Sequence, residues 1–344
     1  MRAWLYLRCL RALTDRASLR VQLHKFGMSH RASLLTRLPD VLTIFLAIAP
    51  VFAIILMGYG LRRGGIPSIE FWNFNDRLVY WVLMPALFFA KISAADLSGG
   101  LGDYAFLLYA GFFAAIFSGW LLGQGIQAPQ ASSLMQGSAR FNTFVGLAVA
   151  EAVYGAKGLQ LAVLGSALLV PVVNVTVVTL MARQLGGGGK LILVGLVKNP
   201  LILSICAGAL FNLAGLGEVP VLHEIARILG NAALPIMLLC IGANLKLRGL
   251  SGSRKIIGFS MVGKFLINPI AVVFAALALT SDPLVVQVAL IFAALPTGVA
   301  SYTLAREMRG DAPLMAAIIT TQTLLSFITL PLTLLIGQAA LSVN

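Results

Sequence analysis

The sequence predicts an all-α polytopic membrane protein: ten transmembrane helices in two inverted five-helix repeats, with interrupted crossing helices. Three observations carry this. Of 344 residues, 59% are hydrophobic and 11% charged, with a mean hydropathy of +0.93, whereas soluble chains hold about 25% charged residues. Apolar runs of roughly the 20 residues that a helix needs to cross a bilayer recur along nearly the whole chain. Proline and glycine positions in the first half reappear in the second at nearly constant offsets.

Residues 1–40 form a basic leader with eight Lys or Arg: Arg2, Arg8, Arg11, Arg16, Arg20, Lys25, Arg31 and Arg37. It lacks an apolar core followed by a small-residue cleavage site, so it is a poor secretory signal. An amphipathic surface helix is one reading; an over-long start, with Met28 the true initiator, is the other. The spans then read 41–61, 72–93, 104–124, 133–154, 159–182, 195–215, 228–247, 255–280, 284–306 and 312–338. The first repeat covers 41–185, a glycine linker 186–190, the second repeat 191–338 and a short tail 339–344.

Loop charges orient the bundle. Arg62, Arg63, Arg183, Lys190, Lys246, Arg248, Arg254, Lys255, Arg306 and Arg309 fall on one side; Asp96, Asp103, Lys157, Glu218, Glu224, Arg227 and Asp282 fall on the other. Cytoplasmic loops carry the Lys and Arg excess, so the first side is cytoplasmic and both termini face out. The leader contradicts this, and starting at Met28 removes six of its eight charges. The expected location is the cytoplasmic (inner) membrane. The net charge of +13 therefore reads as topology rather than nucleic-acid binding, since no DNA-binding motif or aromatic interleaving accompanies it. Cys9, Cys206 and Cys240 show neither metal-ligand spacing nor a disulfide framework.

The repeat is explicit at particular residues. Pro50 and Pro85 match Pro200 and Pro235 at an offset of 150; Gly58 falls on Gly208, and Leu83-Met84-Pro85-Ala86-Leu87 on Ala233-Leu234-Pro235-Ile236-Met237. Gly155 and Ala162 match Gly310 and Ala317 at an offset of 155. Five spans per half is an odd number, so the second half enters from the opposite side.

The ninth span carries Pro296, Thr297, Gly298, Ser301, Tyr302 and Thr303 where a lipid-facing helix would carry Leu and Ile. Proline lacks the N–H of the helix ladder and clashes with the carbonyl one turn back, so the helix is expected to break near Pro296. Freed backbone groups at membrane depth must be satisfied by protein or by a water-filled cavity. The repeat partner, 140–155, carries Asn142, Thr143, Gly146 and Glu151. Two broken helices crossing near the pseudo-two-fold axis offer helix N-termini to an anion.

Phe141-Asn142 with Gly146-Leu147 and Tyr154-Gly155, Asn199-Pro200, Ala233-Leu234-Pro235 with Gly242-Ala243-Asn244-Leu245, Lys264 with Pro269, and Leu295-Pro296 through Ala305 together resemble the auxin efflux carrier family, including its bacterial permease and malonate-type members. The resemblance covers about residues 41–338. It implies ten helices in two inverted repeats, a scaffold and a transport domain, and an elevator-like alternation that moves an organic anion. Members usually have a proline after Gly-Leu in the fourth span. Here that place is Ala148, which leaves Gly146 as the expected flexible point.

Each candidate residue has two readings. Lys264, deepest in a span, attracts a carboxylate or exchanges a proton, or else caps carbonyls near Asn268-Pro269; a buried charge costs roughly 2.5–3.5 kcal/mol on insertion scales. Arg140 lies nearer the start of its span. Asn142 and Asn174 bind the anion or bond between helices. Thr297, Ser301 and Tyr302 bind a carboxylate or repair the backbone near Pro296; Gln322, beside Thr320 and Thr321, completes the cavity. Glu151 is a coupling carboxylate or an interfacial one, and Asp76 with Arg77 a helix-end charge pair.

The function expected is a secondary carrier for a small organic anion, a carboxylate as the resemblance to malonate-type members implies, with H+ or Na+ as coupling ion and no cofactor or metal. Its partners are that anion and the bilayer, without nucleic acid; a homodimer is compatible with the sequence. An intramembrane enzyme needs paired aspartates, an activated serine or a metal cluster within the spans, and the sequence offers none there. A phosphate-binding loop for ATP is missing as well. A channel lacks its repeated filter loop. A sodium–bile-acid-type symporter with the same ten-helix plan stays open.

Overall fold

The computed structural model describes residues 29–95, 101–185, 199–216, 219–246, 254–279 and 282–341, with side chains described between residues 42 and 339. Two compact units are distinguished, residues 1–47 and 48–344. The described part of the first is helical, the opening of α1 (Ser29–Arg63). The helix therefore begins within the 1–40 stretch and continues past residue 41. The linker 186–190 and residues 1–28 lie outside the described residues.

In the second unit the elements are α2 (Ile69–Leu78), a π turn (Val79–Leu83), α3 (Met84–Ser93), α4 (Leu101–Leu122), α5 (Ala128–Ala139) and α6 (Thr143–Leu185). There follow α7 (Pro200–Leu213), α8 (Leu222–Ala243), α9 (Arg254–Met261), a second π turn (Val262–Ile267) and α10 (Asn268–Leu277). The series ends with α11 (Pro283–Ala294), α12 (Ala300–Glu307) and α13 (Ala312–Leu341). The last helix thus runs into the predicted tail. Among the described residues there is no strand. Among the described residues six helical stretches are long and apolar enough to cross a bilayer, and Pro200–Leu213 and Pro283–Ala294 are shorter apolar helices. The protein is a multi-pass membrane protein.

Local chemistry accounts for the interruptions. Pro85 and Pro269 each follow a π turn, closed by Met84 N–H on Val79 O and by Asn268 N–H on Gly263 O. A proline ring collides with the carbonyl four residues back, and a widened turn relieves that collision. Asn199 opens α7 by accepting from Leu201 N at 2.9 Å and Ile202 N at 3.4 Å, with Pro200 at the first helical position, where no N–H is missed. Gly155, at φ 62° and ψ −152°, is the non-helical point within α6.

Helix packing falls into two groups. In one, α3 packs against α7 and α8, and Asn212 Nδ2 ties the end of α7 to the carbonyls of Ser93 at 2.9 Å and Ala95 at 2.7 Å. In the other, α4 packs against α5, α10 and α11, and Tyr104 and Tyr109 donate to the carbonyls of Leu161 and Leu168 in α6. One stripe of α4 (Tyr104, Leu107, Leu108, Gly111, Ala115) is buried, while Phe106, Phe113, Phe117 and Trp120 are exposed. Exposed aromatics at helical spacing are a liability in water and the ordinary lining of a lipid face.

Two glycines allow close approaches between helices. Gly58 of α1 lies against the backbone of Leu239, and Gly208 of α7 against the carbonyl of Phe89. Both members of the second pair differ from those of the first by 150 positions. A side chain at Gly58 would push its helix off the Leu239 backbone, whereas one at Gly208 would be tight against Ile92 and the Phe89 carbonyl.

Candidate functional site

Two gaps in the helices define the site. α5 ends at Ala139 and Arg140 is extended, at φ −68° and ψ 151°; α11 ends at Ala294 and Leu295 is extended, at φ −66° and ψ 143°. The gaps touch. Asn142 N donates to Pro296 O at 2.8 Å, the Phe141 and Phe292 rings meet edge to face at 5.3 Å, and a Cβ on Gly298 would come within 2.7 Å of the Phe141 carbonyl.

Pro296 explains the second gap. The first has no proline, and it lies at Arg140–Asn142 rather than at Gly146, which is buried inside regular helix against Leu295. Tertiary partners hold it open. Asn142 Oδ1 accepts from Phe144 N at 3.2 Å and Val145 N at 3.3 Å, capping α6. At the other lip, Gly137 O accepts from Gln322 Nε2 at 2.9 Å. Thr297 Oγ1 sits 3.0 Å from Gly137 O and 2.8 Å from Gln322 Oε1, its single proton serving one of them at a time. Gln322 Oε1 also accepts from Thr297 N at 2.9 Å. Lys264 Nζ donates to Ala139 O at 3.1 Å, so it caps the last residue of α5 and not the carbonyls near Asn268-Pro269. A cation at a helix C-terminus also meets the negative end of the helix dipole.

The site brings together two basic side chains, Lys264 and Arg140. Lys264 is fully buried. Arg140 reaches Asn174 Oδ1 with Nη2 at 2.8 Å, while its Nη1 is sealed from solvent with no hydrogen-bond partner. Among the described residues, neither cation has a carboxylate within ion-pair distance. Asn142 Nδ2, Ser301 Oγ and both amide atoms of Gln136 are likewise buried and unpartnered. Buried polar atoms are nearly always paired, and each left alone costs about 1–3 kcal/mol. Several such atoms on neighbouring segments leave donors and acceptors there that a polar ligand or water could use.

Of the residues singled out in the sequence, Asn142, Thr143, Lys264, Pro296, Thr297, Gly298 and Gln322 come together at the gaps, and Asn174 joins through Arg140. Ser301 opens α12 with a buried hydroxyl. Tyr302 turns away to Lys246, whose Nζ donates to its hydroxyl at 3.2 Å. Glu151 is exposed, apart from the buried cluster. Asp76 does not pair with Arg77; its Oδ2 accepts from Asn244 Nδ2 at 2.8 Å, and Arg62 Nη1 donates to Asn244 Oδ1 at 3.1 Å. Gln136 was not singled out, although its signal was present: Ser132, Ser133, Gln136 and Ser138 interrupt an otherwise apolar span and all four are buried.

The chain is 27% identical over 291 residues to an "Uncharacterized transporter" of Methanothermobacter thermautotrophicus, covering 82% of this chain and 94% of that protein. It is 27% identical over 304 residues to a "Putative malonate transporter" of Rhizobium meliloti, covering 82% and 92%. An 80-residue stretch is 40% identical to "Probable auxin efflux carrier component 9" of Oryza sativa subsp. japonica, 23% of this chain and 18% of that one. The profile of the membrane transport protein family matches residues 43–334, so the chain belongs to that family, the auxin efflux carrier family, and is a transporter rather than an enzyme.

Proposed function

We propose that the protein is a secondary carrier that moves a small organic anion, a carboxylate, across the cytoplasmic membrane by elevator-like alternating access. The observation that carries this reading is a pair of basic side chains, the buried Lys264 and the half-buried Arg140 with its Nη1 sealed and unpartnered, at the meeting of two broken helices, with no carboxylate within ion-pair distance among the described residues. An anion between Arg140 Nη1 and Asn142 Nδ2 would supply the missing charge and the missing acceptors. Charge-assisted hydrogen bonds of this kind are roughly twice as strong as neutral ones. The name of the Rhizobium relative fits a dicarboxylate, and malonate is the first substrate to try.

Ten crossings in two inverted repeats account for the chain: α1, α2 with α3, α4, α5 with the start of α6, the rest of α6, α7, α8, α9 with α10, α11 with α12, and α13. Three likenesses support the repeat. α5 and α11 each have 12 residues and a proline in the first turn; their ends at Arg140 and Leu295 differ by 155 and share nearly the same dihedrals; and the Gly58 and Gly208 contacts correspond. In this reading α3, α7 and α8 belong to a scaffold, and α4, α5, α6 and α10–α13 to the part that moves. The coupling ion is H+ or Na+, and both termini face out.

Counterflow of labelled malonate and other carboxylates in proteoliposomes tests the proposal. A carrier exchanges internal for external anion without net conductance. Unitary currents, or no exchange of any carboxylate by protein that inserts normally, would reject it.

A further inference from the structure

α8 has 22 residues, about 33 Å at 1.5 Å per residue, so its ends lie near opposite faces of a bilayer. The two ends have different neighbours. Just past the C-terminal end, Lys246 N donates to the buried Thr320 Oγ1 of α13 at 3.1 Å. The Lys246 ammonium donates to Tyr302 OH of α12 at 3.2 Å and lies 4.2 Å from that ring's centroid. At the N-terminal end a cleft of about 630 Å³ separates α8 and α3 from the segment of α6 beyond Gly155. Lys91, Lys157 and Gln160 line it, as do Glu224 and Arg227, which pair with each other.

We propose that Lys246 is a gate residue: it latches α12 and α13 to α8 on one face, while the cleft at the other end of α8 is the open entrance for the anion. The inference rests on the carrier reading and adds which end is shut and what shuts it. Arg62, bonded to Asn244 two residues before Lys246, puts the latch at the Arg-rich end of the bundle, the cytoplasmic end by the distribution of loop charges. Lys91 and Lys157 have no partner among the described residues, so they are free to draw an anion into the cleft. For exchange to proceed, the latch must break as the cleft closes.

The test uses single cysteines in full-length protein whose native cysteines are replaced by Ser or Ala. Gln160→Cys should react quickly with a charged, membrane-impermeant thiol reagent added at the cleft face. Leu245→Cys, beside the latch and buried here, should react slowly from the other face. An exposed cation–π contact contributes about 0.5–1 kcal/mol, so Lys246→Met should raise Leu245→Cys labelling about 2- to 5-fold. Lys246→Arg should restore the slow rate, and Thr320→Val should raise it in its own right. Unchanged Leu245→Cys labelling in Lys246→Met, with counterflow intact, overturns the latch and leaves the carrier. Fast labelling at both positions together with unitary currents would reject the carrier itself.

Discussion

The two helix breaks occupy matching places in the chain and are built by opposite means. At 295–299 the sequence itself ends the helix: Pro296 cannot donate and Gly298 admits the Phe141 carbonyl. At 140–142 nothing local forbids a helix. Lys264, Gln322 and Thr297 hold the carbonyls of Ala139 and Gly137, while Asn142 caps α6. The proline break therefore acts as a rigid clamp, lending Thr297 to stabilise its partner. The break without proline holds Arg140 Nη1 and Asn142 Nδ2, both unpartnered, and is capped by Lys264, while on the proline side Ser301 Oγ is the unpartnered atom. A gap kept open by side chains from elsewhere can respond to what binds in it, which a proline gap cannot.

Substitutions sharpen this contrast, and the largest effect is expected at Asn142. Asn142→Asp keeps the capping oxygen but replaces the Nδ2 donor with negative charge beside the anion. Melting temperature should hold while malonate exchange falls below detection. Asn142→Ala should lose exchange and also destabilise by about 1 kcal/mol, the worth of an N-cap. If Asn142→Asp transports normally, the anion does not sit on this lip.

Lys264→Met comes next. It removes a positive charge facing the site and leaves Ala139 O without its donor. Hydrogen bonds to charged groups contribute about 1.5–3 kcal/mol, so anion affinity should fall roughly 10- to 150-fold in an uptake titration. Relief of the buried charge offsets the orphaned carbonyl, and a melting curve should shift little. Unaltered affinity would make Lys264 a structural cap only.

On the clamp side, Thr297→Val should do the reverse. Losing the hydroxyl near Gly137 O and Gln322 costs about 1–3 kcal/mol of stability, and anion affinity should change much less than in Lys264→Met. Equal losses of affinity at both breaks would dissolve the distinction between them. Glu151→Gln has the smallest expected effect. An exposed carboxylate outside the buried cluster should change stability by no more than about 0.5 kcal/mol, with exchange unchanged at every pH; a lost pH dependence would restore it as a coupling group.

What could be read from the sequence follows from the same contrast. Pro296 announces its break because proline chemistry is local. Pro85 and Pro269 are equally visible, but the π turns that accommodate them were not foreseen. The first break was misplaced at Gly146, since glycine signals flexibility while the real causes, Lys264 and Gln322, lie 125 and 185 residues away from the carbonyls they hold. Asn142 was recognisable as a polar residue in a span, but its division of labour, oxygen on the helix and nitrogen free, exists only once α6 starts at Thr143. Asp76 was assigned to its neighbour Arg77 by proximity in sequence, whereas its partner is Asn244, 168 residues on.

The account stands on the cationic break as the anion's seat. Anomalous scattering from crystals grown with bromomalonate locates the ligand directly. The bromine and its carboxylates should lie in the 140–142 gap, with a carboxylate oxygen about 3 Å from Arg140 Nη1 and Asn142 Nδ2. Bromine found instead beside Ser301 at the proline break, with Arg140 still unpaired, would contradict it.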